Sequence, residues 1–214
     1  MSAAPPIFLF CNLRYGAAVL DGLARSSGAR PRILVLSERK TPRGVAALRA
    51  AWRRQRLRWR TGMDVWSVAD VNAPAFLSRI PAGADGLVAG FNQIFKPAAI
   101  ERFASLVNVH PSLLPFYRGP TPSHWVLERG ERATGFSLHR VVARIDAGEV
   151  LAQGVVEVEG ARDAADLDAR IARAAAPVAR RWLEHLESGA AWSSERVDAS
   201  SIYLHPVDYL SFPS

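Results

Sequence analysis

Short apolar runs that alternate with helical spacing restrict the fold of this chain more than any other feature. Ile7 to Asn12, Arg32 to Leu36, Asp64 to Val68, Gly86 to Gly90 and Ala104 to Val109 each read as a short strand. Between them lie stretches of helical character. Ala17 to Arg25 carries Val19, Leu20 and Leu23, Pro42 opens a helix to about Arg58, Ala73 to Arg79 is shorter, and Lys96-Pro97 starts another to about Phe103. Strands and helices alternating in this way predict a mostly parallel sheet flanked by helices and built from right-handed crossovers. In such sheets a site lies beyond the carboxyl ends of the strands. Asn12, Phe91 to Phe95 and Asn108 to His110 all fall at that edge.

The pattern then changes. Ser123 to Arg129 reads as a helix and Phe136 to Val142 as a strand, followed by an Asp146-Ala147-Gly148 turn. Val150 to Val158 alternates as a half-exposed strand does and is expected to pair antiparallel with Phe136 to Val142. Asp163 N-caps a long amphipathic helix to about Glu187, with Leu167, Ile171, Ala174, Val178, Trp182 and Leu186 on one stripe. The expected organisation is one domain over residues 1–190, with a tail, 191–214, packed on it. No linker, repeat or low-complexity block divides the chain.

The chemistry gathers between Val107 and Glu149. Positions two apart share a strand face, so Asn108 and His110 can converge on one point, and Pro111 forces His110 to stay extended. Asp146 adds a carboxylate and His139 a second imidazole near strand ends. Each also has a plainer role open to it: Asn108 as a strand-end cap, His110 as a satisfied buried imidazole, Asp146 as a turn residue, His139 as packing. Ser112 lacks the Gly-x-Ser-x-Gly setting of a nucleophile. His110, His139 and Asp146 are metal ligands by type, but their spacing matches no helical ligand signature, and no metal is expected. The turn after the first strand, Leu13-Arg14-Tyr15-Gly16, holds one glycine, so the dinucleotide fingerprint is absent and a nicotinamide enzyme is disfavoured.

At 214 residues and 49% apolar composition the chain can bury a sizeable core. No apolar run is long enough to cross a bilayer, and the N-terminus lacks the charged start of a secretory signal, so a cytoplasmic protein without a membrane partner is expected. The lone Cys11 sits in an apolar strand as a packing residue. The net charge of +7 is concentrated between Arg39 and Arg60. Such a run can hold phosphates or RNA, or be a solvated helix face. Trp52 and Trp59 within it are expected to pack in the core or a groove.

The run Asn108-Val109-His110-Pro111-Ser112-Leu113-Leu114-Pro115, followed by Arg118-Gly119, Thr134-Gly135 and Asp146-Ala147-Gly148, resembles the folate-dependent formyltransferases. These include glycinamide ribonucleotide, methionyl-tRNA and amino-sugar N-formyltransferases. The resemblance implies a Rossmann-like α/β catalytic domain with a C-terminal antiparallel strand pair. It implies 10-formyltetrahydrofolate as co-substrate, an amine acceptor, and Asn108, His110 and Asp146 as the catalytic trio. His139 matches a second histidine near the site in the glycinamide ribonucleotide branch. Gly90, Phe91, Asn92, Gln93, Ile94 and Phe95 correspond to the segment whose backbone and apolar side chains hold the pterin. The loop from Arg140 through Val141, Ala143 and Ile145 to Asp146 corresponds to the other wall. The Leu114–Pro115 bond is implied to be cis. A carboxylate beside His110 is expected to raise its pKa and keep it protonated.

Departures from each branch bear on the acceptor. The purine-pathway enzymes carry a Gly/Ser/Asn phosphate loop after the first strand and an Arg where Gln93 stands here. The Arg118 to Trp125 stretch looks more like the tRNA and amino-sugar branches. Initiator-tRNA enzymes have a further C-terminal domain, where only Ser188 to Ser214 remains here, and nucleic-acid binding is not favoured. A small or nucleotide-linked amino sugar is therefore the expected acceptor. The alternatives are a methionyl-tRNA formyltransferase-like enzyme, formylation of a peptide or secondary-metabolite amine, a 10-formyltetrahydrofolate hydrolase, and a non-catalytic folate-binding module.

Overall fold

The computed structural model describes residues 6–12, 15, 19, 31–38 and 43–205. Its centre is a seven-stranded sheet: β1 (Ile7–Cys11), β2 (Ile33–Ser37), β3 (Asp64–Val68), β4 (Ala84–Ala89), β5 (Phe103–His110), β6 (Ala133–Arg140) and β7 (Val150–Glu157). The spatial order is β3-β2-β1-β4-β5-β6-β7, parallel from β3 to β5 and antiparallel at β5–β6 and β6–β7. This is the expected parallel sheet with its antiparallel pair, and the order reverses direction between β1 and β4.

Both faces of β1 and β2 are buried, which is why they read as continuous apolar runs, whereas β3 at the sheet edge is half-exposed. Leu9 and Cys11 of β1 join one core with Leu57, Leu167, Ile171 and Trp182. Phe8 and Phe10 point the other way, into a core with Phe76, Phe95 and Phe103. Burial without a charged partner pushes the Cys11 thiol up to about 12, as suits a packing residue.

The helices are α1 (Val45–Thr61), α2 (Pro74–Leu77), α3 (Pro97–Ile100), α4 (Pro122–Glu128) and α5 (Ala164–Ser188). The expected helix at Ala17–Arg25 lies, Val19 apart, outside the described residues. α1 begins at Val45 behind a Gly44 N-cap, and the expected opening residue, Pro42, lies outside the described residues. Only Ala50 and Leu57 of α1 are buried, and Trp52 and Trp59 are 63% and 77% exposed. The expectation that these tryptophans pack inside is overturned because they lie on the helix face opposite Leu57.

α5 starts where Asp163 accepts a hydrogen bond from the Asp166 N–H, as its sequence indicates. Its buried face is Leu167, Ile171, Trp182 and Leu183 with Ala172, Ala175, Ala176 and Ala179, while Ala174 is exposed and Val178 and Leu186 only half-buried. Small alanines let this helix approach the sheet, and they displace the stripe that larger apolar residues alone suggest. Residues 189–205 then return along the molecule. Glu195 bridges Ala152 in parallel, and the Tyr203 hydroxyl binds the Leu113 N–H at 2.9 Å and Thr134 Oγ1 at 3.0 Å. This cover explains why Leu151 to Gln153 of β7 are buried in succession and only its second half alternates.

Candidate active site

The site grows from the register of β5 and β6. Asn108 and His139 are directly opposed across the antiparallel pair, and His110 lies opposite Ser137. Alternation then puts Asn108, His110 and His139 on one sheet face, the face of Leu106 and Phe103. Asp146 reaches the same point from the β6–β7 connection. It sits at φ 47°, a left-handed conformation that aspartate tolerates better than most residues. Two residues on, a Cβ at Gly148 would lie 1.9 Å from the Arg140 carbonyl, so only glycine closes this turn.

The four side chains meet at hydrogen-bond or ion-pair distances. His110 Nδ1 is 3.5 Å from Asp146 Oδ2, and His139 Nε2 is 3.5 Å from Asp146 Oδ1. The Asn108 amide nitrogen is 3.1 Å from His139 Nε2. Backbone carbonyls fix both tautomers, because a carbonyl can only accept. His110 Nε2–H donates to the Tyr117 carbonyl at 2.8 Å, and His139 Nδ1–H donates to the Arg140 carbonyl at 2.9 Å. His110 therefore presents Nδ1 to Asp146, and His139 presents Nε2 to both Asn108 and Asp146. The Gly119 N–H donates to Asp146 Oδ2 at 2.9 Å.

Burial alone would raise the Asp146 carboxyl, but His110, His139 and the Gly119 N–H outweigh it and hold the group well below the usual carboxylate range. For His110 the balance is reversed. Burial lowers its pKa, the neighbouring His139 and Arg118 add to that, and Asp146 and the Tyr117 carbonyl only partly offset it. The expected protonated His110 is thus corrected: Asp146 supports the imidazolium, yet the 4% exposed ring leaves burial dominant. Among the described residues no cluster of His, Cys, Asp and Glu is arranged to hold a metal ion.

A polar scaffold holds the turn after β5. The Leu114–Pro115 bond is cis. Ser137 Oγ donates to the Ser112 carbonyl and accepts from the Leu114 N–H, while Gln153 donates to the Leu114 carbonyl and to Ser137 Oγ. An open depression of 240 Å³ reaches Asp146 between this turn and the returning tail, with Leu114, Arg118, Gln153 and Arg196 among its walls.

The second group of candidate residues lies beyond β4. Gly90 has φ 65°, and a Cβ there would meet Tyr15 Cβ at 2.8 Å. Phe91 and Phe95 pack on Phe10, with ring centroids 5.5 and 5.1 Å away. Asn92 is exposed, as are Ile94 at 63%, Val142 at 42% and Ile145 at 43%. Val141 packs against the same core as Phe91, and its N–H donates to the Leu106 carbonyl; β6 itself ends at Arg140 rather than at Val142. Phe91 and Val141 thus anchor the two segments to one apolar cluster, and the exposed Ile94, Val142 and Ile145 give those segments apolar surface. Ala143 is exposed in the loop, and Arg140 pairs with Glu149 at 3.2 Å. The Gln93 side chain is turned away and occupied. It accepts from the Val71 N–H at 2.7 Å and donates to Ser37 Oγ and the Val68 carbonyl, tying β2 and β3 together.

The structure brings the predicted trio together and adds His139, which the sequence left divided between site and packing. Its cross-strand position opposite Asn108 is the missing signal, and pairing register is not written in a single strand. The Tyr117 carbonyl and Gly119 N–H are backbone groups with no side-chain signature.

A profile described as formyl transferase matches residues 7–181. A glycinamide ribonucleotide transformylase from Symbiobacterium toebii is similar in fold, with a TM-score of 0.64 at 22% identity over 92% of this chain and 96% of its own. A phosphoribosylglycinamide formyltransferase from Coxiella burnetii superposes with a TM-score of 0.62 at 19% identity, over 88% and 89%. A sugar N-formyltransferase from a Shewanella species gives 0.61 at 15% identity, over 91% of this chain and 74% of its own.

Proposed function

We propose that this chain, which belongs to the formyl transferase family, moves the formyl group of 10-formyltetrahydrofolate to a primary amine, and that the acceptor is a small or nucleotide-linked amino sugar. One observation carries the reading: Asn108, His110 and His139 surround an ionised Asp146 at the carboxyl edge of the sheet. The exposed Ile94, Val142 and Ile145, on segments anchored by Phe91 and Val141, are suited to a flat heterocycle between apolar walls. Bound between those walls, the donor would supply an activated formyl carbon.

The roles follow from the hydrogen bonds. His110 starts neutral, with Nε2–H held by Tyr117, so its Nδ1 takes a proton from the attacking nitrogen. The imidazolium formed is stabilised by Asp146, and its Nδ1–H can then serve the developing oxyanion or the leaving nitrogen. Asn108 gives one N–H to His139 and keeps the other for the formyl oxygen, so His139 positions Asn108. No covalent enzyme intermediate is required.

Two features support a small acceptor. Asn12 Oδ1 accepts from the Tyr15 N–H at 2.9 Å, and Tyr15 is buried over Gly90. One N–H of the turn after β1 is thereby spent internally instead of facing a phosphate. The depression beside Asp146 has room for the amine-bearing end of a small molecule. The test is spectroscopic release of tetrahydrofolate with and without a panel of amino sugars and other amines. Release that depends on an amino sugar is expected. Release without any amine makes the protein a hydrolase, and release driven only by methionyl-tRNA overturns the acceptor.

A further inference from the structure

The surface feature left unexplained by formyl transfer is the outer face of α1. Val45, Leu48, Trp52 and Trp59 are 65%, 72%, 63% and 77% exposed. At about 100° per residue they fall within roughly 60° of arc, along about 21 Å of helix. Single exposed apolar side chains need no explanation, but four on one stripe of one helix do. The neighbouring arc carries Arg49, Arg53, Arg56 and Arg60, and α1 contains no acidic residue. The acidic groups facing the helix are already paired: Glu38 with Arg53 and Arg54, Asp64 with Arg58. Arg49 and Arg56 make no ion pair among the described residues, and the Arg56 guanidinium lies 5.5 Å from the Trp52 ring centre.

We propose that α1 is an interfacial helix that seats this protein on an anionic lipid surface. An aliphatic end, two tryptophans two turns apart and a flank of arginines are what a headgroup boundary accepts together. The apolar stripe enters the acyl edge while the guanidinium groups stay among the phosphates. A second copy of the chain fits poorly, because it would set arginine flank against arginine flank. RNA offers phosphates to the arginines but no apolar surface for Val45 and Leu48. Among the described residues no helix is long and apolar enough to cross a membrane, so the contact is peripheral. The inference does not depend on the formyl-transfer reading.

The test is co-sedimentation of the full chain with vesicles of phosphatidylcholine alone or mixed with phosphatidylglycerol. Quenching of tryptophan emission by brominated acyl chains gives a second readout. Binding to the anionic vesicles alone is expected, weakened by salt. Replacing Leu48 and Trp52 by Glu should weaken binding roughly tenfold or more, with the melting temperature unchanged because both side chains are exposed. Any of four results overturns the proposal: no partition onto anionic vesicles, equal binding to neutral ones, full binding by the Leu48→Glu/Trp52→Glu protein, or tighter binding to an RNA oligonucleotide lost in that variant. A concentration-dependent dimer abolished by the same substitutions also overturns it, in favour of self-association.

Discussion

The cluster around Asp146 and the arginine helix α1 handle charge in opposite ways. Asp146 has a 13% exposed side chain and is ringed by His110, His139 and the Gly119 N–H, each fixed by a further bond to the backbone or by being backbone itself. On α1, Arg53 and Arg58 have side chains 48% and 49% exposed, and their ion pairs reach one carboxylate each. A charge held in a low-dielectric site interacts strongly with everything near it, whereas exposed pairs are typically worth under about 1 kcal/mol. Sequence counts of charge therefore point to α1, while the proposed chemistry resides where the formal charge is least conspicuous.

The sharpest way to break this contrast is Asp146→Asn. Turnover is expected to fall by about a hundredfold or more, with folate affinity retained, because the imidazolium formed during reaction loses its counter-charge. The acid limb of kcat/KM in the unmodified protein should lie below the ordinary histidine value of about 6.5, since burial depresses His110. Asp146 raises the His110 pKa, so its removal should move that limb to still lower pH. A variant with near-normal turnover and an unmoved limb would remove Asp146 from the mechanism. Stability has its own sign. A carboxyl depressed on folding stabilises above its unfolded pKa, about 3.9, and that contribution is lost as pH falls through the folded value. The melting-temperature gap between the two proteins should accordingly close in acid.

Next in size, His110→Ala and Asn108→Ala are each expected to cost about a hundredfold in kcat. The double variant should cost less than the product, because both groups act on one oxyanion. Fully multiplicative losses would separate the two residues into independent sites. Ile94→Asp probes the border between the two regimes, since it places a carboxylate on an exposed apolar segment without touching the buried cluster. Folate affinity measured by calorimetry should fall by roughly a hundredfold if that segment is a pterin wall. Unchanged affinity would take Phe91 to Phe95 out of the site.

The smallest effect is expected on α1. Changing Arg49, Arg53, Arg56 and Arg60 to Gln should alter turnover with a soluble acceptor by less than about threefold, and the salt dependence should be shallow. A steep salt slope with competition by tRNA would reverse the comparison and make the basic helix the acceptor-binding surface.

Much of the fold was legible because burial on both faces of a parallel sheet leaves largely apolar runs, as in β1, β2 and β4, whereas the edge strand β3 is half-exposed and mixed in sequence. The Asp163 cap and the Asp146-Ala147-Gly148 turn were legible for a different reason. A side chain that accepts from a backbone N–H, and a glycine that admits a carbonyl at contact distance, are local requirements written in local residues. The position of α1's tryptophans was not legible. A helix with a buried Leu57 and an exposed Trp59 has the same composition as its inverse, and only docking on the sheet selects which face is hidden.

For the site, sequence alone determined the ingredients: two polar residues on one strand face, a proline that ends the strand, a carboxylate in a glycine turn. The tertiary structure decided their chemistry. The register of β5 against β6 set His139 opposite Asn108, the Tyr117 carbonyl chose the His110 tautomer, and burial of that ring outweighed the carboxylate beside it. Tautomer and protonation depend on which groups approach from distant parts of the chain, and on how much water they displace. Those quantities exist only once the chain has folded.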